Sequence, residues 1–423
     1  MIPVLPSLPP GARILVVRLR SIGDIVLLTP ALRLLKEWRH SLRVSVVVDA
    51  HFRELLEGNP DVDEVISLGD GSGWREAAER WRAVRELRRR GFALCVNLHG
   101  GPTSTFLTRF SGARVKVGFH HYRSRSVYDI LVPDARTILN QPALHTAELQ
   151  ACAFFWLGLL RREIPRARLF YTPRHVEWWQ QTRKDLLLPR AGYAVLHPTA
   201  LYTTKQWPAG EFARLGAWLE HDFRIKTVYS CGPGEAQVLD AVERTAEAAG
   251  VRSIRRLEGA SLGQFAAALA GARLFVGNDS GPAHMAAALG RPSVVIFGSS
   301  SSHIWGPWPR QDPDRPARIV QNFYDCNPCP GDRCYRFNQP ECILSVSFDQ
   351  VRAAVEQVLN DCRLLIAQPA QLETRNSQLA PPGAASSCEP PVPDSEPSSI
   401  RDRQEEGKSK GKRKKANDKS EDA

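Results

Sequence analysis

The run Val276-Gly277-Asn278-Asp279-Ser280-Gly281-Pro282-Ala283-His284-Met285 joins an apolar stretch to an alanine-rich helical pattern closing at Gly290. Asp279 or Ser280 can cap that helix, and Pro282 suits its first turn because no backbone donor is lost there. The amides of Ser280, Gly281, Ala283 and His284 then face outward at the positive end of the helix dipole, a site for phosphate oxygens. Upstream, His197-Pro198-Thr199-Ala200 precedes Lys205-Gln206-Trp207-Pro208. Lys205 is a mobile cation able to neutralise a diphosphate leaving group, although a single lysine serves equally well as a solvated surface charge. Trp207 reads as a packing residue. Glu235, behind Gly232-Pro233-Gly234, can accept both hydroxyls of a ribose or can simply favour the dipole of its own helix. Near the amino terminus, Ser21-Ile22-Gly23-Asp24 opens another helix. Asp24 can take a proton from an attacking hydroxyl or can act only as a cap, and Gly23 lets the backbone approach a ligand closely.

Four cysteines cluster as Cys326, Cys329, Cys334 and Cys342. They could hold zinc or an iron–sulfur cluster, but their spacing is not two clean C-x2-C pairs. A reduced structural loop or a redox disulfide is the alternative. Cys95 and Cys152 sit in apolar contexts and read as core. His99, His120 and His121 lack helical metal spacing and read as lining the acceptor side of a cleft. The loop at Asp24 lacks G-x-G-x-x-G, which argues against a dinucleotide oxidoreductase.

These residues must be held by regular elements. Ile14–Val17, Val44–Val48, Val62–Ile66, Leu94–Val96 and Val115–Val117 read as strands, with helices at Ala31–Arg39 and Trp74–Arg89. After a polar, proline-marked stretch with a helix near His175–Leu186, the alternation restarts. Its strands are Ala194–Leu196, Lys226–Tyr229, Arg252–Ile254, Leu274–Val276 and Val294–Phe297, and its helices are near Glu211–Glu220, Ala236–Ala249 and Leu262–Ala270. Such alternation predicts two doubly wound parallel sheets facing a cleft, with ligands at their carboxyl edges. Residues 1–12 form an extension, 13–185 and 186–347 the two α/β domains, and 348–366 a closing helix. Residues 367–423 read as a disordered tail on composition.

At 423 residues and 43% hydrophobic the chain can bury two cores. Nine cysteines on this length do not make a disulfide scaffold. No secretory signal is evident, and no apolar run reaches the roughly 18 to 20 residues that span a bilayer. We therefore expect a protein of the reducing cytoplasm. The net charge is +11, of which Arg401 to Ala423 supplies +3 through nine Lys or Arg against six Asp or Glu. The remaining +8 suits a nucleotide sugar, an anionic lipid head group or nucleic acid about equally. The Lys408–Lys415 run has no interleaved aromatic residue, so no specific nucleic-acid partner is expected.

From about Arg13 to Leu359 the ordered set of motifs resembles glycosyltransferase family nine, the heptosyltransferases, which have the two-domain GT-B architecture of facing Rossmann-like lobes. The set is Ser21-Ile22-Gly23-Asp24, His197-Pro198, Lys205-Gln206-Trp207-Pro208, Gly234-Glu235, Gly277 to His284, and the Cys-x2-Cys loop. The resemblance implies an inverting, metal-independent transfer of a heptose or related sugar from an ADP-sugar donor. The acceptor would be the lipopolysaccharide core or another lipid-linked anionic glycan, met at the inner-membrane surface. It implies Asp24 as base, with Ser21, Gly23 and His120 on the acceptor side. Lys205, Thr199 and the amides of Ser280, Gly281 and His284 would meet the diphosphate, Glu235 the ribose and Asp279 the donor sugar. Ser280 stands where members often carry Thr. A non-catalytic nucleotide-sugar binder, or a GT-B enzyme of another family such as a sugar-nucleotide epimerase, is the competing expectation.

Overall fold

The computed structural model describes residues 3–69, 74–248, 253–310, 312 and 315–366. The tail beyond 366, including the lysine run, lies outside them. Twelve strands are described: β1 (Arg13–Val17), β2 (Arg43–Asp49), β3 (Glu64–Leu68), β4 (Leu94–Asn97), β5 (Val115–Phe119), β6 (Ile130–Val132), β7 (Tyr193–His197), β8 (Thr227–Ser230), β9 (Arg256–Leu257), β10 (Ala272–Asn278), β11 (Ser293–Phe297) and β12 (Ala317–Gln321). They form two six-stranded sheets, β3-β2-β1-β4-β5-β6 and β12-β11-β10-β7-β8-β9, in which the pairings are parallel. Numbered within its own lobe, each sheet has the order 3-2-1-4-5-6. The order reverses between the first and fourth strands, and the loops leaving that point open the crevice where ligands of such sheets bind.

Both faces of each sheet are covered, so the strands read as nearly unbroken apolar runs. Ile14, Val16, Leu94 and Val96 turn to one side of the first sheet, while Leu15, Val17 and Cys95 turn to the other. In the second sheet Val195, Phe275, Val295 and Phe297 join the same continuous core as Ile14 and Val16. Leu196, Leu274, Val294 and Ile296 face a separate core closed by the helix Phe348–Ile366. The inner layers of the two lobes therefore pack as one body. Among the described residues no helix is long and apolar enough to cross a membrane.

Several elements differ from expectation. Strand β9 lies at Arg256–Leu257 rather than at Arg252–Ile254, where Ser253 and Ile254 are irregular and Arg252 is outside the described residues. β3 starts two residues late because the Val62 amide is taken by the Asn59 carbonyl in a turn. The edge strands β6 and β12 were not foreseen. β6 has three residues, and β12 is an edge strand with only Val320 buried, so neither shows a clear two-residue period.

The lobes meet where two helix amino termini approach. Ile22–Val26 follows β1, and Gly281–Ala288 follows β10. A methyl group added at Gly281 would lie 2.5 Å from Ile22 Cβ, and one added at Gly23 would lie 2.6 Å from His284 Cδ2. Each helix thus contributes the glycine that admits the other's side chain. Farther along the seam, the Gly263 amide donates to Glu54 at 2.8 Å, the Trp308 indole N–H donates to the Pro165 carbonyl at 3.0 Å, and Arg310 pairs with Glu148 at 3.0 Å. His145 crosses it through Nε2, which faces the Gly306 carbonyl at 2.9 Å, while Nδ1 caps its own helix by accepting from Ala147 N at 3.2 Å. That arrangement suits a neutral ring protonated at Nε2.

Gly281→Ala should lower unfolding free energy by about 1–3 kcal/mol through overpacking of this seam. Gly210→Ala, whose new methyl would meet only the Thr245 side chain, at 3.4 Å or more, inside a helix, should be neutral or stabilising. Urea unfolding of both variants checks the contrast. Burial pushes His145 down to about 3 and His197 to about 4 from 6.5. The unfolded chain then binds the extra protons, so stability is fully present above pH 6.5 and falls as pH drops toward 4. The slope is at most about 1.4 kcal/mol per pH unit per histidine. His145→Gln, which keeps a donor and an acceptor without titrating, should flatten part of that loss.

Candidate active site at the meeting of two switch points

The first lobe contributes the loops after β1 and β4. Ser21 caps Ile22–Val26, and Asp24 at its third position completes a capping box. One oxygen, Asp24 Oδ2, accepts from the Ser21 amide at 3.2 Å and from the Ser21 hydroxyl at 3.1 Å. The other, Oδ1, is ion-paired with Arg18, whose guanidinium also donates to the Leu98 carbonyl. The capping alternative therefore describes half of the carboxylate. The Asp24 side chain remains 14% exposed. Asn97, fully buried at the end of β4, accepts from the amides of His99 and Gly100 at 2.9 and 3.1 Å and so shapes the loop carrying His99.

His99 is pushed below its usual range by burial and by Arg18 and Arg20. Burial raises the buried Tyr122 phenol, which lies within electrostatic range of Arg18 and Asp24. His120 sits elsewhere, at the end of β5. Its amide donates to the Val132 carbonyl, its ring lies 5.5 Å from that of His121, and Asp134 lies within its electrostatic range. Arg18 and Tyr122 were missed as site residues. Arg18 carries a legible signal, a cation at the first position past the switch-point strand.

The second lobe repeats the arrangement. Asn278, fully buried at the end of β10, accepts from the Trp207 amide at 3.0 Å and donates to the Pro198 carbonyl at 2.8 Å. It thereby brackets the loop that carries Lys205. Lys205 Nζ lies 2.8 Å from Asp279 Oδ2. Asp279 is 6% exposed and also accepts from the Ser300 hydroxyl, a partner that sequence reasoning did not find. Ser280 occupies the cap position of Gly281–Ala288 with its hydroxyl on the Asn278 carbonyl. Thr199 is fully buried and its hydroxyl lies 3.0 Å from His197 Nε2, while His197 Nδ1 lies 3.0 Å from the Ser230 hydroxyl. Glu235 Oε2 accepts from the Gly232 amide at 2.8 Å, closing its own loop. Trp207 packs edge-on against Phe212 and donates to the Val346 carbonyl at 2.8 Å.

His284 joins the halves. It is buried, which keeps its ring neutral by lowering its pKa, and Asp279, Asp24 and Lys205 all lie within range of its charge. The structure thus brings together Asp24, Gly23, Lys205, Asp279, Ser280, Gly281 and His284. It leaves His120 apart. Among the described residues the one grouping of three potential metal ligands is Glu54, Glu57 and His175, where Arg174 already pairs with both carboxylates. Cys326, Cys329, Cys334 and Cys342 are free and line one cavity of about 100 Å³ beside Thr204 and Ser299. Burial and the other three sulfurs push Cys342 up to about 11. Cys95 and Cys152 are core residues, as their contexts predict.

Lys205→Ala leaves Asp279 buried without its cation, and a cost of about 3 kcal/mol is expected. Lys205→Ala with Asp279→Ala should cost less than the sum of the single changes. A double-mutant cycle by urea unfolding measures the coupling.

The model of glycosyltransferase family 9 (heptosyltransferase) matches residues 80–334. Lipopolysaccharide heptosyltransferase 3 of Escherichia coli is 26% identical over 300 residues, covering 69% of this chain and 84% of the relative. Among solved structures, the family 9 glycosyl transferase of Veillonella parvula superposes with a TM-score of 0.72 at 21% identity, over 84% of this chain and 99% of that one. The E. coli ADP-heptose lipopolysaccharide heptosyltransferase II superposes with a TM-score of 0.68 at 20% identity, over 85% and 100%. These likenesses account for the two facing Rossmann-like lobes of the GT-B fold. The chain belongs to glycosyltransferase family 9, the heptosyltransferases, and is a glycosyltransferase.

Proposed function

We propose that this enzyme moves a heptose or a closely related sugar from an ADP-linked donor to a lipid-linked anionic glycan at the cytoplasmic face of the inner membrane, inverting the anomeric centre. The observation that carries the reading is the meeting around His284 of an amino-lobe carboxylate, Asp24, with a carboxyl-lobe cation and helix terminus, Lys205 and Ser280–Gly281. One carboxylate opposite one cationic, amide-lined pocket is what a single displacement needs. The acceptor oxygen attacks the anomeric carbon as its proton passes to Asp24. The bond to the diphosphate breaks, and its electrons leave on the nucleoside diphosphate, where Lys205 and the dipole of Gly281–Ala288 offset the charge. Arg18 and Ser21 hold Asp24 in place.

The donor's ADP portion is proposed on the strength of the E. coli relative whose name carries ADP-heptose. Glu235 lies in the loop that follows β8, the strand next to β7 in the sheet, where a ribose reaching beyond the diphosphate would lie. Asp279 would meet donor hydroxyls while tethered by Lys205 and Ser300. The buried Thr199 hydroxyl leaves the backbone of its loop as the surface that could contact phosphate. Offset of the leaving charge by Lys205 and the helix end requires no metal ion.

Asp24→Asn should reduce kcat by roughly 100-fold or more while leaving the dissociation constant for ADP within a factor of about two. Lys205→Ala should weaken ADP binding by about tenfold or more, as expected for loss of a charge-assisted contact. Transfer assays with ADP-heptose and lipopolysaccharide core acceptor, beside calorimetric titration of ADP, separate the two. Full turnover in Asp24→Asn would remove the base assignment, and unaltered ADP binding in Lys205→Ala would remove the donor site.

A further inference from the structure

On the flank of the first lobe, three aromatic rings cluster, an exposed indole over two partly buried phenyl rings. Trp81, on the helix Trp74–Arg90, is 47% exposed. Its ring lies 5.3 Å from Phe106, edge-on, and 5.3 Å from Phe110, both on the neighbouring helix Pro102–Phe110. The two phenylalanines are 5.0 Å apart. The same helix buries Val84 and Leu87 in the core, so Trp81 is not needed to hold it down. A half-exposed indole continuous with two partly buried phenyl rings makes an apolar patch rather than a lone exposed ring, and such patches mark interaction sites.

Arginines surround the rings. Arg85 follows Trp81 by four residues and Arg88 by seven, which places all three on one helical face. Both arginines are exposed. Arg88 Nε donates to the Phe110 carbonyl at 3.0 Å, and the exposed Arg109 guanidinium lies 5.5 Å from the Phe110 ring. The nearby acid Glu86 is already paired with Arg90 at 2.8 Å. A wedge of indole and phenyl rings inside a ring of guanidinium groups matches the boundary between acyl chains and anionic head groups. Tryptophan settles at head-group depth there, and arginine meets phosphate.

We infer that Trp81, Phe106 and Phe110 with Arg85, Arg88 and Arg109 form the surface by which this enzyme docks on an anionic lipid bilayer. The patch rests on the proposed use of a lipid-linked acceptor, and its place in the fold fits that use. Helix Pro102–Phe110 starts just past the His99 loop at the crevice, and Arg80 ties the two helices there by donating to the Thr103 hydroxyl at 3.0 Å. At about 1.5 Å per residue, Phe106 and Phe110 lie roughly 6 and 12 Å down the flank from that edge. Docking there holds the crevice a short distance above the head groups, within reach of a glycan standing on its lipid.

Co-sedimentation of the full chain with phosphatidylglycerol–phosphatidylcholine vesicles tests the surface, with pure phosphatidylcholine vesicles as the neutral probe. Binding should need phosphatidylglycerol. Trp81→Ala should lower the partition coefficient about fivefold or more while Trp81→Phe retains most of it, and Arg85→Glu with Arg109→Glu should lower it about tenfold or more. Thermal midpoints and ADP affinity should stay unchanged. Equal binding by wild type and these variants overturns the inference, as does equal binding to neutral vesicles. A concentration-dependent dimer seen without vesicles and lost in Trp81→Ala would assign the patch to a second copy and also overturn it. Failure here leaves turnover on a water-soluble, delipidated acceptor intact, whereas failure of the catalytic reading abolishes that turnover and leaves vesicle binding intact.

Discussion

Two helix ends share one small volume, and almost every other feature of the site follows from their doing so. Ile22–Val26 and Gly281–Ala288 bring their amino termini together across the seam, with Gly281 under Ile22 and Gly23 under His284. No side chain larger than hydrogen fits at either glycine without moving its opposite number. Because both helices start directly after switch-point strands, their contact also brings the two carboxyl edges face to face. An acid on one edge and a cation on the other then both lie within electrostatic range of one buried imidazole, which burial keeps neutral. The continuous core that runs from Ile14 through Phe275 to Phe297 makes the seam part of the folded interior.

The lobes repeat one structural solution with different chemistry. In each, the fourth strand ends in a fully buried asparagine whose amide group organises the neighbouring loop, Asn97 for His99 and Asn278 for the Lys205 segment. An asparagine suits that place because one side chain both donates and accepts, replacing backbone pairing where the strand stops. The loops then diverge. The first lobe pairs Asp24 with Arg18, while the second pairs Lys205 with Asp279. Each of these charges at the crevice is thus held by a fixed counter-charge, which limits its motion and offsets its desolvation.

Fold and candidate site were legible to different depths. Strand cores such as Ile14–Val17 and Val294–Phe297 stood out because both faces are buried and the residues are β-branched. Edge strands such as β6 and β12 did not, since half-solvated short segments lose that pattern. Asp24, Lys205 and Asp279 were readable from their places at strand–helix junctions. His120 lies at the end of β5, with one strand between β5 and β1, and its ring is 5.5 Å from that of His121.

From the residues alone came the alternation that dictates two parallel sheets, the capped helix starts, the glycines at the junctions and the motif order of the family. Those are local properties, set by side-chain period and backbone freedom within a few residues. Tertiary structure decided which junctions meet. The pairing of Arg18 with Asp24, the approach of Tyr122, the seat of His284 against Gly23 and the gathering of four cysteines around one cavity all join residues whose proximity depends on chain path or lobe docking. The same holds for the exposed ring cluster at Trp81, which needs two helices laid side by side on a finished sheet. Contacts of that kind arise from packing many faces at once, and no local period in the chain encodes them.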